Sequence, residues 1–281
     1  MPSSDDATRK LRSGSRDPLL RVEGLCTYFA LKQGLLRRTV GQLRAVDGVD
    51  LRVLRGQTLA VVGEAGSGKT TLARSITRQL PATSGKVLFE GKDLLGMSKS
   101  DVRALERQIQ IVSPDMLGAP EPLTVLQGLL QADPKLLIFD DAFAGLSDGV
   151  RVSLFEELRR RQDEQGLTCL LLTRDLKLAA PLADQVALLH AGQIVETGAT
   201  ASLLAHPQHP YTQALLAAEP STIAVASSVP PISNRGPLSG CRFRSRCPHA
   251  FARCAQEEPV LFVVPGGLSR CFLQDPEGSG N

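Results

Sequence analysis

The feature that most constrains this chain is the run Val61-Val62-Gly63-Glu64-Ala65-Gly66-Ser67-Gly68-Lys69-Thr70-Thr71, a complete G-x-x-x-x-G-K-T phosphate loop. Before it stands the apolar run Thr58 to Val62, which reads as a buried strand. After it, Leu72, Ala73 and Ile76 recur at helical spacing between Thr70 and Leu80. A strand entering a glycine loop that opens a helix makes an anion site, because unpaired backbone N–H groups and the positive helix end face the same point. Gly63, Gly66 and Gly68 let the backbone wrap closely. Glu64, Ala65, Ser67 and Thr71 complete the cradle, Lys69 reaches the β- and γ-phosphates, and the Thr70 hydroxyl takes Mg²⁺. A chance glycine-rich turn does not match every fixed position in this context. The chain is expected to bind a nucleoside triphosphate with Mg²⁺ on an α/β fold of the P-loop NTPase class.

Such a loop needs a carboxylate downstream. Lys135 to Phe139 is an apolar strand ending in Asp140 and Asp141. Asp140 would orient the Mg²⁺ water shell and Asp141 would polarise an attacking water. Two early strands, around Leu19–Phe29 and Leu43–Val53, precede the loop. A strand at 86–89, a helix at 101–108 and a strand at 110–112 follow it. Helices are expected at Val125–Ala132 and Val150–Gln165, the latter closed by Gly166 as a C-cap. Leu167–Thr173 reads as a buried strand, and Gln185–Leu189 with Gln193–Val195 as a hairpin around His190-Ala191-Gly192.

Residues 1–17 are polar and mixed in charge, without the apolar core of a signal peptide, and are expected to be a disordered tail. The nucleotide-binding domain is expected over 18–225. Pro230-Pro231, Gly236-Pro237 and several serines mark a linker, so 226–281 is read as linker plus a cysteine-rich segment. No apolar run is long enough to span a membrane, and the formal net charge of +3 gives no argument for a nucleic-acid partner. Cytoplasmic residence follows as an expectation, any membrane link passing through partners. Cys241, Cys247, Cys254 and Cys271 are spaced C-x5-C-x6-C-x16-C, which is no standard zinc-finger pattern. Metal or cluster ligation and reduced thiols both stay open for them, whereas Cys26 and Cys169 in strands read as core residues. Arg235, Arg242, Arg244, Arg246 and Arg253 fall in an acid-free stretch and read as a solvated face.

The chain from Leu19 to Cys271 resembles the ATP-binding subunits of ABC transporters, of the oligopeptide/dipeptide importer type. The resemblance is carried by Ala45-Val46-Asp47-Gly48-Val49, Asp93 to Ser98, Gly192 to Glu196, His206-Pro207-Gln208-His209-Pro210-Tyr211-Thr212 and Cys241…Arg246-Cys247-Pro248…Cys254…Cys271. It implies an ABC-type core with a mixed sheet and N-terminal antiparallel strands. It also implies ATP hydrolysis coupled to peptide import, a second ATP-binding subunit, membrane-spanning permease subunits and an iron–sulfur cluster on the tail. The protein would lie peripherally on the inner face of the cell membrane. An early aromatic stacks on adenine in that family. Phe29 matches it, with a strand-core role as the alternative.

Four departures accompany the resemblance. Pro114 stands where the family has a glutamine that touches Mg²⁺ and the attacking water. Only 26 residues separate 114 from 140, where the family inserts a helical subdomain, and no Leu-Ser-Gly-Gly-Gln signature occurs. Asp141 stands at the catalytic glutamate and Arg174 at the switch histidine. The expectation is a subunit that holds MgATP and is degenerate in hydrolysis. A non-hydrolysing nucleotide-sensing subunit and a nucleic-acid-associated P-loop protein with a cysteine-bound metal are the alternatives.

Overall fold

The computed structural model describes residues 17–33, 38–217 and 239–278. The tail 1–16, the expected domain boundary near 225 and the linker through 238 lie outside them. Two sheets carry the fold. The first, in the order β2-β1-β4-β5, joins β1 (Pro18–Gln33), β2 (Arg38–Leu54), β4 (Ser84–Phe89) and β5 (Lys92–Asp93), all antiparallel. The second has eight strands in the order β11-β12-β10-β9-β3-β8-β7-β6. Its members are β3 (Thr58–Val62), β6 (Ile109–Val112), β7 (Leu136–Asp140), β8 (Thr168–Thr173), β9 (Gln185–His190), β10 (Gln193–Ala199), β11 (Phe262–Val264) and β12 (Gly267–Ser269). Strands β9, β3, β8, β7 and β6 run parallel, and β10, β12 and β11 continue antiparallel, so the sheet is mixed as expected.

The three central strands are apolar at nearly every position because both faces are covered, the ordinary condition of a parallel sheet. Alternate side chains then serve two cores. Ala60, Val62, Leu137, Phe139, Cys169 and Leu171 pack on one side, and Leu59, Val61, Leu136, Ile138, Leu170 and Leu172 on the other. Helix α1 (Lys69–Ile76) lies on the second side, between the central strands and the antiparallel sheet, through Leu72, Ala73 and Ile76. Helix α2 (Lys99–Leu105) leads into β6.

From β6 the chain reaches β7 through only two short helices, α3 (Pro114–Leu117) and α4 (Pro122–Leu130). Pro114 is the first residue of α3. Helix α5 (Asp148–Gln165) then packs Leu154 and Leu158 on the first core and stops at Gly166, whose φ of 69° only glycine adopts readily. After α6 (Leu176–Ala179), β9 and β10 turn tightly over Ala191 and Gly192, both at positive φ. Helices α7 (Thr200–Ala205), α8 (Pro210–Ala217) and α9 (Ala252–Gln256) follow. No described helix is long and apolar enough to cross a membrane.

Candidate functional site

The phosphate loop leaves the top of β3 and enters α1 at Gly68, whose φ is 112°. Its glycines are demanded by space as well as by dihedral. A Cβ on Gly63 would lie 2.2 Å from the Leu189 carbonyl, and one on Gly68 would lie 2.1 Å from the Ala45 carbonyl. Lys69 folds back into the loop, its Nζ donating to the Gly63 carbonyl at 2.7 Å and the Glu64 carbonyl at 3.1 Å. Burial draws its pKa downward, while the Asp141, Asp140 and Glu64 carboxylates pull the other way. An ammonium with so little water around it is ready to meet an anion.

Strand β7 brings Asp140 to the same point. The Thr70 hydroxyl donates to Asp140 Oδ1 at 3.1 Å, and burial, with the charge of neighbouring Asp141, raises the Asp140 pKa. One hydroxyl and one carboxylate facing a phosphate cradle suit Mg²⁺, which takes its remaining ligands from water and phosphate oxygens. Asp141 follows in the left-handed region, φ 54°, with its N–H on the Leu172 carbonyl. Its carboxylate is held by Arg174, Nε to Oδ2 3.1 Å, at the end of β8. In this structure the Asp141 carboxylate is therefore paired with the Arg174 guanidinium.

Phe29 is 38 % exposed on β1, outside both cores, which disposes of the strand-core reading. Tyr28 is half-buried instead, its hydroxyl donating to Asp47. Ala65, Gly66, Ser67 and Thr71 complete the loop, and Ser67 Oγ is buried without a hydrogen-bond partner.

Two contributors to the loop were not legible in the motif. The Glu64 N–H donates to the Tyr211 hydroxyl at 3.0 Å, and Arg246 grips the Glu64 carboxylate with two bonds of 2.6 and 2.8 Å. Arg242 similarly binds Asp47 and the Ala191 carbonyl. The arginines of the C-terminal segment therefore do not form the expected solvated face. Arg244 donates to the Ser239 and Cys241 carbonyls, and Arg253 pairs with Glu257 and Asp275. Their partners lie far away in sequence or on short local turns, so an acid-free stretch misled. Arg235 lies outside the described residues.

Cys241, Cys247, Cys254 and Cys271 line one small cavity of about 10 Å³, room for roughly one water. Burial raises the thiol pKa values of Cys241 and Cys247, and that of Cys271 to about 11. Among the described residues no three His, Cys, Asp or Glu are gathered closely enough to hold a metal ion. The expected iron–sulfur cluster or zinc therefore finds no support here. Cys169 is buried with its pKa pushed up to about 12, as a core residue should be.

Comparison with known proteins places this geometry. A family model described as ABC transporter matches residues 46–126, and one described as oligopeptide/dipeptide transporter, C-terminal region, matches 195–254. The probable peptide ABC transporter ATP-binding protein y4tS of Sinorhizobium fredii is 31 % identical, with 94 % of this chain and 92 % of that protein covered. The chain belongs to the ATP-binding proteins of peptide-type ABC transporters. Another member, the oligopeptide transport ATP-binding protein OppF of Salmonella typhimurium, is 31 % identical over 93 % of this chain and 98 % of its own. The alignment with y4tS runs over 328 residues, more than the 281 of this chain, so that member carries residues without counterpart here. Among solved ABC cassettes, the ADP conformation of MJ1267 superposes with a TM-score of 0.57 at 18 % identity, covering 70 % of this chain and 98 % of that one. The cassette cbiO1 from Clostridium perfringens gives 0.57 at 22 %, covering 75 % and 99 %. These likenesses bear on the fold alone.

Proposed function

We propose that this ABC-type ATP-binding subunit serves peptide import as a nucleotide-binding partner whose own hydrolytic power is largely lost. The observation that carries the reading is an intact binding half beside an altered catalytic half. Gly63 to Thr71, Lys69 and the Thr70–Asp140 pair are in place. Asp141, by contrast, is paired with Arg174, and Pro114 opens a helix where a glutamine side chain would be needed. Phosphoryl transfer rests on positioning and charge stabilisation, so losing the groups that align water removes most of the rate.

In this reading Lys69 and the loop backbone bind the β- and γ-phosphates, and Thr70 and Asp140 hold Mg²⁺, which neutralises phosphate charge. Phe29 offers its exposed ring to adenine. Arg174 is a permanent cation and cannot exchange a proton with a water near Asp141. The segment 113–135 is too short to supply the helical subdomain that carries a signature to the partner's nucleotide. A complete second subunit could lend its signature to Lys69 and receive none in return.

Membrane attachment would come through permease subunits. A groove of about 330 Å³ beside the edge strand β6, lined by Ile76, Leu94, Leu105, Ile109 and Ile111 together with Arg78 and Glu106, would take a few side chains of such a subunit. The protein would then be peripheral on the cytoplasmic face. A cluster on the four tail thiols has only their shared cavity in its favour. Anaerobic purification without broad visible absorption removes it.

The deciding measurement is MgATP binding and phosphate release by the chain alone. Binding that is lost in Lys69→Ala, with phosphate release no greater than that variant's, is expected. Turnover well above the Lys69→Ala control would sink the degenerate reading and leave an ordinary ATPase subunit. A non-hydrolysing sensor is the second reading, favoured by the Asp141–Arg174 pair. Co-purification with permease subunits separates the two.

A further inference from the structure

We infer that Arg246, delivered by the cysteine-rich segment, is a positioning residue for nucleotide binding: it neutralises Glu64 and clamps the phosphate loop in its anion-accepting shape. The inference rests on the nucleotide-binding reading above and goes beyond it, because Arg246 lies 182 residues from its partner and outside the nucleotide motif.

The second residue of the loop is a carboxylate, an awkward neighbour for a triphosphate. Left free, Glu64 would repel the phosphates that Lys69 is there to attract. The structure removes that charge in a specific way. The two terminal nitrogens of Arg246 donate one bond to each oxygen of Glu64, a bidentate geometry that fixes orientation as well as charge. Glu64 is drawn below the usual carboxylate pKa, chiefly by this bond, and so stays an anion paired to its cation.

The clamp is braced rather than dangling. The Arg246 guanidinium sits 5.5 Å from the Phe243 ring centroid. Phe243 in turn meets Tyr211 edge-on at 5.5 Å, and Tyr211 takes the Glu64 N–H. Glu64 also offers its carbonyl to Lys69. One residue of the loop is thus fixed through side chain, N–H and carbonyl, and two of those three contacts come from beyond residue 200. A long salt bridge made only to attach the C-terminal segment would not need to fall inside the phosphate loop. Arg242, bound to Asp47 on β2, already supplies an attachment of that kind.

The test is titration of the full-length protein with a fluorescent N-methylanthraniloyl ATP and Mg²⁺, each variant normalised to its folded fraction. Arg246→Ala is expected to weaken binding about tenfold, by freeing a partly buried carboxylate beside the phosphates. Arg246→Lys, which keeps charge but not the bidentate fork, should fall between. Glu64→Gln combined with Arg246→Ala should recover affinity to within about threefold of wild type, since the repelling charge is then gone. A purely structural tether predicts the opposite: the double variant is as weak as Arg246→Ala or weaker. That result, or unchanged affinity in Arg246→Ala, overturns the proposal while nucleotide binding stands. If the wild type binds no better than Lys69→Ala, the nucleotide reading itself fails and this inference with it.

Discussion

Tyr211 shows how much a single side chain can carry at this site. Its ring is fully buried, between His190 at 4.5 Å and Phe243 at 5.5 Å, and its hydroxyl accepts the Glu64 N–H. Burial raises its pKa, so the hydroxyl stays protonated through the neutral range. Replacing it with phenylalanine keeps the ring contacts and removes only the acceptor. A backbone N–H at the mouth of the phosphate loop is then left without a partner. Such a loss costs about 1–3 kcal/mol when water cannot replace the bond. Tyr211→Phe should therefore lower the urea midpoint with an unchanged slope, and a midpoint equal to wild type would show that water takes the place of the hydroxyl. The same logic separates Asp141 from Asp140. Asp140 faces the Thr70 hydroxyl and can take a cation, whereas Asp141 faces Arg174. On the proposed reading, Asp141→Glu combined with Arg174→His should leave phosphate release at the Lys69→Ala level, because Pro114 offers no side chain to align water. Recovery of turnover in that double variant would count against Pro114 as a further obstacle to hydrolysis.

At the level of elements, α5 offers the plainest check on local rules. It ends at Gly166, whose N–H bonds the Gln162 carbonyl at a positive φ. Gly166→Ala should cost about 1 kcal/mol, from the left-handed conformation an alanine resists, and a thermal melt reads it directly. Elements of this kind were legible in the sequence because their signals are local. The phosphate loop, the apolar runs of β3, β7 and β8, and the hairpin at Ala191-Gly192 each declare themselves within a dozen residues. The true reach of β1 and β2 was less visible. These strands run 16 and 17 residues, and several register shifts between them break the alternation that would have marked their full length. Helix α3 was hidden because Pro114 and Gly118 open and close only a single turn, too short for an apolar period to show. The clamp on Glu64 could not be seen at all. Tyr211 lies 147 residues from Glu64 and Arg246 lies 182, and nothing in either local sequence names the partner.

The whole molecule is held together at a seam where the C-terminal segment meets the nucleotide-binding core, and two histidines are buried in it. His190 closes β9 against Tyr211 and Phe243, and His209 opens toward Phe243 with its Nδ1 accepting the Tyr211 N–H. Burial pushes His190 down to about 4 and His209 down to about 3. Both are therefore neutral in the folded protein at pH 6, whereas in the unfolded chain they titrate near 6.5. Between those values the unfolded state binds more protons than the folded one, so stability must fall as pH falls. The loss begins near pH 6.5 and runs to about pH 4 for His190 and about pH 3 for His209. Each histidine contributes roughly 1.4 kcal/mol per pH unit inside its window. The charged groups that face the seam act lower on the scale. Glu64 and Asp47, held below the ordinary carboxylate range by Arg246, Tyr28 and Arg242, add their own loss only as they protonate in stronger acid. Glu196, raised by burial where it accepts the Gln208 and His209 N–H groups, works in the opposite sense and offsets part of the fall. The expected profile is a stability that declines steadily from pH 6.5 to pH 4, before the carboxylates of the salt bridges titrate. His209→Asn retains an acceptor for the Tyr211 N–H and cannot take a proton. Its stability should be lower than wild type at pH 7.5, for the lost ring contacts, but should fall less steeply between pH 6.5 and 4. Parallel slopes for the two proteins would mean that His209 protonates inside the fold, and that the seam opens to water far more readily than its packing implies.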